Sequence, residues 1–188
     1  IIRFLIGNDV IDLSLAKIES NWQRKGFLKK LFSNDEQQLI LEASNSFEMV
    51  WRLWSMKEAA YKIFTQQHNM RFFAPKKFEC KLTQGFKGVV CYRGQQFHTY
   101  SIINTQYIFT KAGLSKEKNS YSEMISPDQI NTKIKNKLNV LTGLNISGIE
   151  QIKSRNGAPS YYYKTRLLTS SCSITHHGKY GAYSFLEA

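Results

Sequence analysis

The chain has 188 residues, 42% hydrophobic and 21% charged, a balance that suits one globular domain or two small packed halves and excludes a disordered chain. Lys and Arg total 26 against 14 Asp and Glu, a formal charge of +12 spread along the whole length, which favours an anionic partner: nucleic acid, a membrane surface, a phosphorylated small molecule or an acidic protein. Cys80, Cys91 and Cys172 lack metal-ligand or CxxC spacing and read as reduced thiols of a cytoplasmic protein; the apolar runs fall short of the ~20 residues of a spanning helix, so no membrane is expected.

Residues 1–13 are β-branched and apolar apart from Gly7, Asn8, Asp9 and Asp12 with Arg3, and predict a buried strand. Ser33-Asn-Asp-Glu36 carries the serine-to-glutamate spacing of a capping box and predicts a helix start. Phe47 to about Thr65 contains neither Gly nor Pro and predicts a longer helix. From about residue 73 to 111, short alternating runs such as Lys87–Tyr92 and Phe97–Ile103 predict a small antiparallel sheet. Residues 113–126, polar and rich in Lys and Ser, predict a connecting loop. Pro127 opens a helix through Ile130, Ile134, Leu138 and Leu141 that Gly143 ends. Strands are expected at about 148–154, 159–164 and 171–186, the last bent at His176-His177-Gly178. The fold class is therefore α+β: a unit over 1–112, a linker over 113–125 and a second unit over 126–188, each a helix followed by a small sheet.

Three features could carry chemistry. Asp9 sits in an apolar strand, where a carboxylate must be paired, hydrogen-bonded or cation-bound; the plainer reading is that Asp9 or Asp12 caps a turn or the next helix. On the long helix, Glu48, Arg52, Ser55, Glu58 and Lys62 fall on one narrow stripe between Trp51 and Trp54. That stripe is either a solvated face with a Glu58–Lys62 pair, worth about 0.2–0.5 kcal/mol, or the wall of a cleft. His176 and His177, beside Gly178 and Lys179, could hold a phosphate or be ordinary loop histidines. Tyr161-Tyr162-Tyr163 near Lys164 and Arg166 could stack nucleic-acid bases, but a strand of the small sheet is the better reading of the run. There is no Gly-rich phosphate loop, no dinucleotide fingerprint, no nucleophile elbow and no zinc spacing.

Taken together these segments resemble the 4′-phosphopantetheinyl transferase superfamily. Gly7-Asn-Asp-Val-Ile-Asp-Leu13 is similar to the family's metal-binding strand. Trp54-Ser-Met-Lys-Glu-Ala-Ala-Tyr-Lys62 is similar to its W-[SC]-x-K-E-A-x-x-K helix. Ser173-Ile-Thr-His-His-Gly-Lys-Tyr180 is similar to its histidine strand, and Asn156-Gly-Ala-Pro159 stands where the family has a G-K-P turn. The order of the motifs suggests a pseudo-dimer whose two halves are swapped relative to the long, monomeric enzymes. The resemblance implies Asp9 and Glu58 as ligands of Mg2+ (Mn2+ is the alternative), Glu58 and Lys62 as catalytic residues, and Lys62, Thr175 and His176 as contacts to coenzyme A, the co-substrate. It implies transfer of 4′-phosphopantetheine to an acidic acyl or peptidyl carrier protein by a monomer, as in fatty-acid biosynthesis, with no nucleic acid involved. Ala158 replaces the G-K-P lysine, with Arg155 as one substitute cation. Strand alternation turns Asp12 away from Asp9. Two other readings remain: a basic nucleic-acid-binding module, and a relative that binds coenzyme A or a carrier without reacting.

Overall fold

The computed structural model describes residues 4–72, 74–114 and 120–188. Strand β1 (Ile6–Asp12) is followed by helices α1 (Leu13–Glu19), α2 (Phe27–Leu31), α3 (Asn34–Glu42) and α4 (Ser46–His68), then strands β2 (Glu79–Leu82), β3 (Lys87–Tyr92), β4 (Gln95–Ile103) and β5 (Tyr107–Gly113). The second half comprises β6 (Ser120–Ile125), α5 (Ile130–Thr142), β7 (Ile149–Lys153), β8 (Pro159–Tyr163), β9 (Arg166–Leu167), β10 (Thr169–His177) and β11 (Tyr180–Glu187). This is an α+β fold of antiparallel sheets in two helix-plus-sheet halves.

Both halves follow one plan. The first sheet runs β1-β5-β4-β3-β2; the second half holds β10-β11-β6 and β7-β8-β9. In each half the opening strand pairs antiparallel with the last strand, β1 with β5 and β6 with β11, and the last pairs with the one before it. A single long helix lies between the opening strand and the remaining strands. That repeated connectivity is what a pseudo-dimer requires.

The local signals explain the elements. Ser33 and Glu36 complete the capping box of α3, Asn45 caps α4, and Gly143 ends α5 in the left-handed region. Asp12 caps α1, accepting from the amides of Ser14 and Leu15. Helix α4 is apolar around most of its circumference because it is central: Val50, Leu53, Met56, Ala59, Ala60 and Ile63 are all buried in the first core. The second core gathers Ile134, Leu138, Ile149, Tyr161 and Phe185.

Two expectations change, and the strand reading of Tyr161–Tyr163 holds as β8. Residues 120–125, placed in a polar linker, form β6. Its Ser120, Ser122 and Glu123 mask the strand because it is an outer strand that buries little. The segment 171–186 is a hairpin, β10 and β11, reversing at Gly178-Lys179. Tyr161 offers no stacking surface: it is fully buried, and its hydroxyl donates to Asn131 Oδ1 at 3.0 Å. Residues 1–3 and 115–119, parts of the predicted first strand and linker, lie outside the described residues. Among the described residues no helix is long and apolar enough to cross a membrane.

Candidate active site

Strand β1 meets α4 on one side and β10 on the other. Gly7 makes the first approach possible: a Cβ there would stand 2.0 Å from the Ala59 carbonyl oxygen. The neighbouring polar positions of α4 then reach the backbone of β1, Gln66 Nε2 donating to Ile6 O at 2.8 Å and Lys62 Nζ to Asn8 O at 2.7 Å.

The free edge of β1 has no strand partner, and its amides would be left without acceptors. Side chains of β10 supply them. The amides of Ile6, Asn8 and Val10 donate to the hydroxyls of Ser171 (3.0 Å), Ser173 (3.1 Å) and Thr175 (3.3 Å). The amide of Asp12 donates to His177 Nδ1 at 2.8 Å. Every second residue of one strand meets every second residue of the other, at a constant separation of 165 in sequence. Asn8, an anomaly in the sequence, is explained here: fully buried, it accepts from Ser173 Oγ at 2.7 Å and donates to Ser184 Oγ at 3.2 Å, joining the halves.

This zipper brings Asp9, Glu58, Lys62 and Thr175 together. Thr175 Oγ1 donates to Asp9 Oδ1 at 3.2 Å, and Lys62 Nζ stands 3.6 Å from the same oxygen. Asp9 Oδ2 is buried and has no hydrogen-bond partner. Burial pushes the Asp9 carboxyl above its usual range, against the pull of Lys62 and of the hydroxyls of Thr175 and Ser55. Glu58 is pushed up to about 7, first by burial and then by the charge of Asp9, with Lys62 opposing. The two carboxylates therefore sense each other, and Lys62 sits with Asp9 rather than forming the helical-surface pair with Glu58.

Asp9, Glu58, Trp51, Trp54, Phe27 and His176 line a cleft of ≈ 460 Å³. His176 is exposed on its wall, whereas His177 is committed to Asp12 and, through Nε2, to Glu19 at 3.3 Å. Glu58 and Lys62 also line a second cavity of ≈ 350 Å³ with Arg71, Asn156 and Ala158. Asp12 serves α1 and the β10–β11 turn, accepting from Ser14 Oγ at 2.5 Å and from the Lys179 amide at 3.4 Å. Arg155 lines a neighbouring cavity and not the one beside Lys62.

No motif or spacing in the sequence assigns a role to Lys57 or Arg71. Lys57 is fully buried, donating to Glu36 at 2.8 Å and to Pro75 O at 3.1 Å; Glu36 Oε1 in turn accepts from the Cys80 amide at 2.7 Å. It holds α4 to α3 and β2 and does not line the cleft. A lysine inside an apolar helix face was the available signal.

Asp9 and Glu58 are hard oxygen donors on two rigid elements, and the orphaned Asp9 oxygen is what a divalent cation would satisfy, so the residues fit Mg2+. Among the described residues no group of three or more His, Cys, Asp or Glu could hold a metal ion.

The family model of the 4′-phosphopantetheinyl transferase superfamily matches residues 5–112, and the chain belongs to that superfamily. Among solved structures it is similar to the holo-[acyl-carrier-protein] synthase of Thermotoga maritima, at 14% identity and a TM-score of 0.46, covering 82% of this chain and 80% of that one. No curated protein matches it.

Proposed function

We propose that the protein transfers the 4′-phosphopantetheine group of coenzyme A to a serine of an apo acyl or peptidyl carrier protein, releasing 3′,5′-adenosine bisphosphate. One observation carries the reading: Asp9 and Glu58, two buried or partly buried carboxylates, lie with Lys62 where two cavities between the halves meet. Mg2+ (or Mn2+) held by Asp9 and Glu58 would neutralise the pyrophosphate of the coenzyme. Glu58, lining the cleft, would serve as the general base for the serine hydroxyl. The serine oxygen attacks the phosphorus bearing pantetheine, the bond from that phosphorus to the nucleotide breaks, and the hydroxyl proton passes to Glu58. Lys62 faces the charge that accumulates on the departing bisphosphate.

Thr175 fixes one oxygen of Asp9, leaving the other free, and His176 on the cleft wall is placed to meet a phosphate of the coenzyme. Both walls come from one chain, so a monomer suffices. The net charge of +12 favours encounter with an acidic carrier. The test is incubation with coenzyme A, Mg2+ and a panel of apo carriers, read by intact mass. A carrier that gains one phosphopantetheine with the native protein and none with Asp9→Ala supports the reading. Failure to bind coenzyme A, with no carrier modified, overturns it.

A further inference from the structure

The segment that follows α4 sends Arg71 across to the second half. Its Nε donates to the Asn156 carbonyl at 2.9 Å, and Nη2 reaches the same oxygen. The turn that receives it is held on several sides. Gly157 N donates to Ser154 O at 2.8 Å, Ser154 N to Ala158 O at 2.9 Å, and Asn156 Nδ2 to Thr65 O in the last turn of α4. Gly157 adopts a φ of +82°, a left-handed conformation that suits glycine, and a Cβ there would lie 2.5 Å from Arg71 Nη2. The turn thus leaves room for the guanidinium as well as binding it.

Two donors of Arg71 are spent on one carbonyl. A guanidinium carries five N–H groups, so three remain, held by a partner that fixes the plane without cancelling the charge. Among the described residues no carboxylate pairs with Arg71. The arginine lines the ≈ 350 Å³ cavity with Lys62 and Glu58. Lys62 is already engaged with Asp9 and with Asn8 O, which leaves Arg71 as the cation of this cavity without an acidic partner among the described residues. A rigid fork with free donors, in a cavity adjoining the proposed reaction centre, is suited to phosphate oxygens.

We infer that Arg71 is a phosphate-binding residue of the coenzyme pocket, contacting the nucleotide end of coenzyme A and occupying the place that Ala158 leaves without a cation. The inference rests on the coenzyme A reading above. It assigns to a residue of the first half, outside every motif of the sequence, the task of tying the nucleotide to the junction of the two halves.

The test is calorimetric titration of 3′,5′-adenosine bisphosphate and of coenzyme A into the native protein, Arg71→Met and Arg71→Lys, with a thermal melt of each. The expected result is native binding weakened about 10- to 100-fold by Arg71→Met, the range of a charge-assisted contact, and partly recovered by Arg71→Lys. KM for coenzyme A should rise while kcat holds. Binding by Arg71→Met within about twofold of native overturns the assignment, as does Arg71→Lys binding no better than Arg71→Met, which would leave Arg71 only a brace for the turn. Failure of the native protein to bind either ligand overturns this inference and the coenzyme A reading together, whereas native binding with an indifferent Arg71 overturns this inference alone.

Discussion

Glu58→Gln should make the metal-free protein more stable while abolishing transfer. The carboxyl of Glu58 is pushed from an ordinary 4.5 to about 7 by burial and by Asp9, so the folded state resists its ionisation. Between those two values the folded chain binds more protons than the unfolded one, and stability falls as pH rises through that window. Above pH 7 the full penalty applies, about 3 kcal/mol. This is an upper figure, because Glu58 is partly exposed and water screens part of the penalty. Glutamine keeps the shape and removes the charge, so at pH 8, after removal of divalent cations, the variant should melt about 5–10 °C above the native protein, given a few degrees per kcal/mol at this chain length. At pH 5 the two should nearly coincide. The assay is thermal denaturation followed by circular dichroism over pH 5–8, repeated with Mg2+, which should raise the native melting temperature and leave that of the variant almost unmoved. A variant that melts at or below the native temperature at pH 8, with the same pH slope, would refute the account of Glu58 as a strained charge.

Three further outcomes follow from the packing and the charge. Lys57→Met strands the buried Glu36 carboxylate and should cost about 3–5 kcal/mol in urea unfolding; a loss under 1 kcal/mol would refute the Lys57–Glu36 pair as a structural tie. Ser173→Ala removes the acceptor of the Asn8 amide and the donor to Asn8 Oδ1, for a loss of about 1–3 kcal/mol, while Ser170→Ala, on the exposed side of β10, should lose far less. The rate of carrier modification should fall steeply between low and physiological salt, since the field of a +12 protein is screened beyond about 8–10 Å there; a flat salt profile would remove electrostatic steering from the account.

Much of this was legible where one residue signals one local structure. Ser33 with Glu36, Pro127 and Gly143 mark helix ends because capping is settled within a few residues, and the length and apolarity of α4 announce its burial. Asp9 and Glu58 stood out because a carboxylate among apolar neighbours demands a reason. Asp12 was legible in part, as one of two candidates for a cap. What escaped depends on distance. Ser171, Ser173 and Thr175 look like ordinary polar residues of a strand until β1, 165 positions earlier, is set beside them. Strand β6 was hidden because its partner β11 comes about sixty residues later, and its own alternation of serines with Tyr121, Glu123 and Ile125 is weak. Arg71 follows a helix end, has no periodic neighbours, and shows its purpose only against Asn156.

The side-chain zipper along β1 also limits how the site can move. Each contact of β10 is spaced by two residues, so sliding one half along the other by one residue would turn the hydroxyls away from the amides, and sliding by two would set Asp9 beside Ser173 or His177 instead of Thr175. Translation is therefore blocked at every small step, and away from β1 the bonds of Arg71 and Thr65 to Asn156 resist rotation as well. Strand β1 therefore acts as a keyed rail: the two halves have one register, and that register keeps Asp9 beside Thr175.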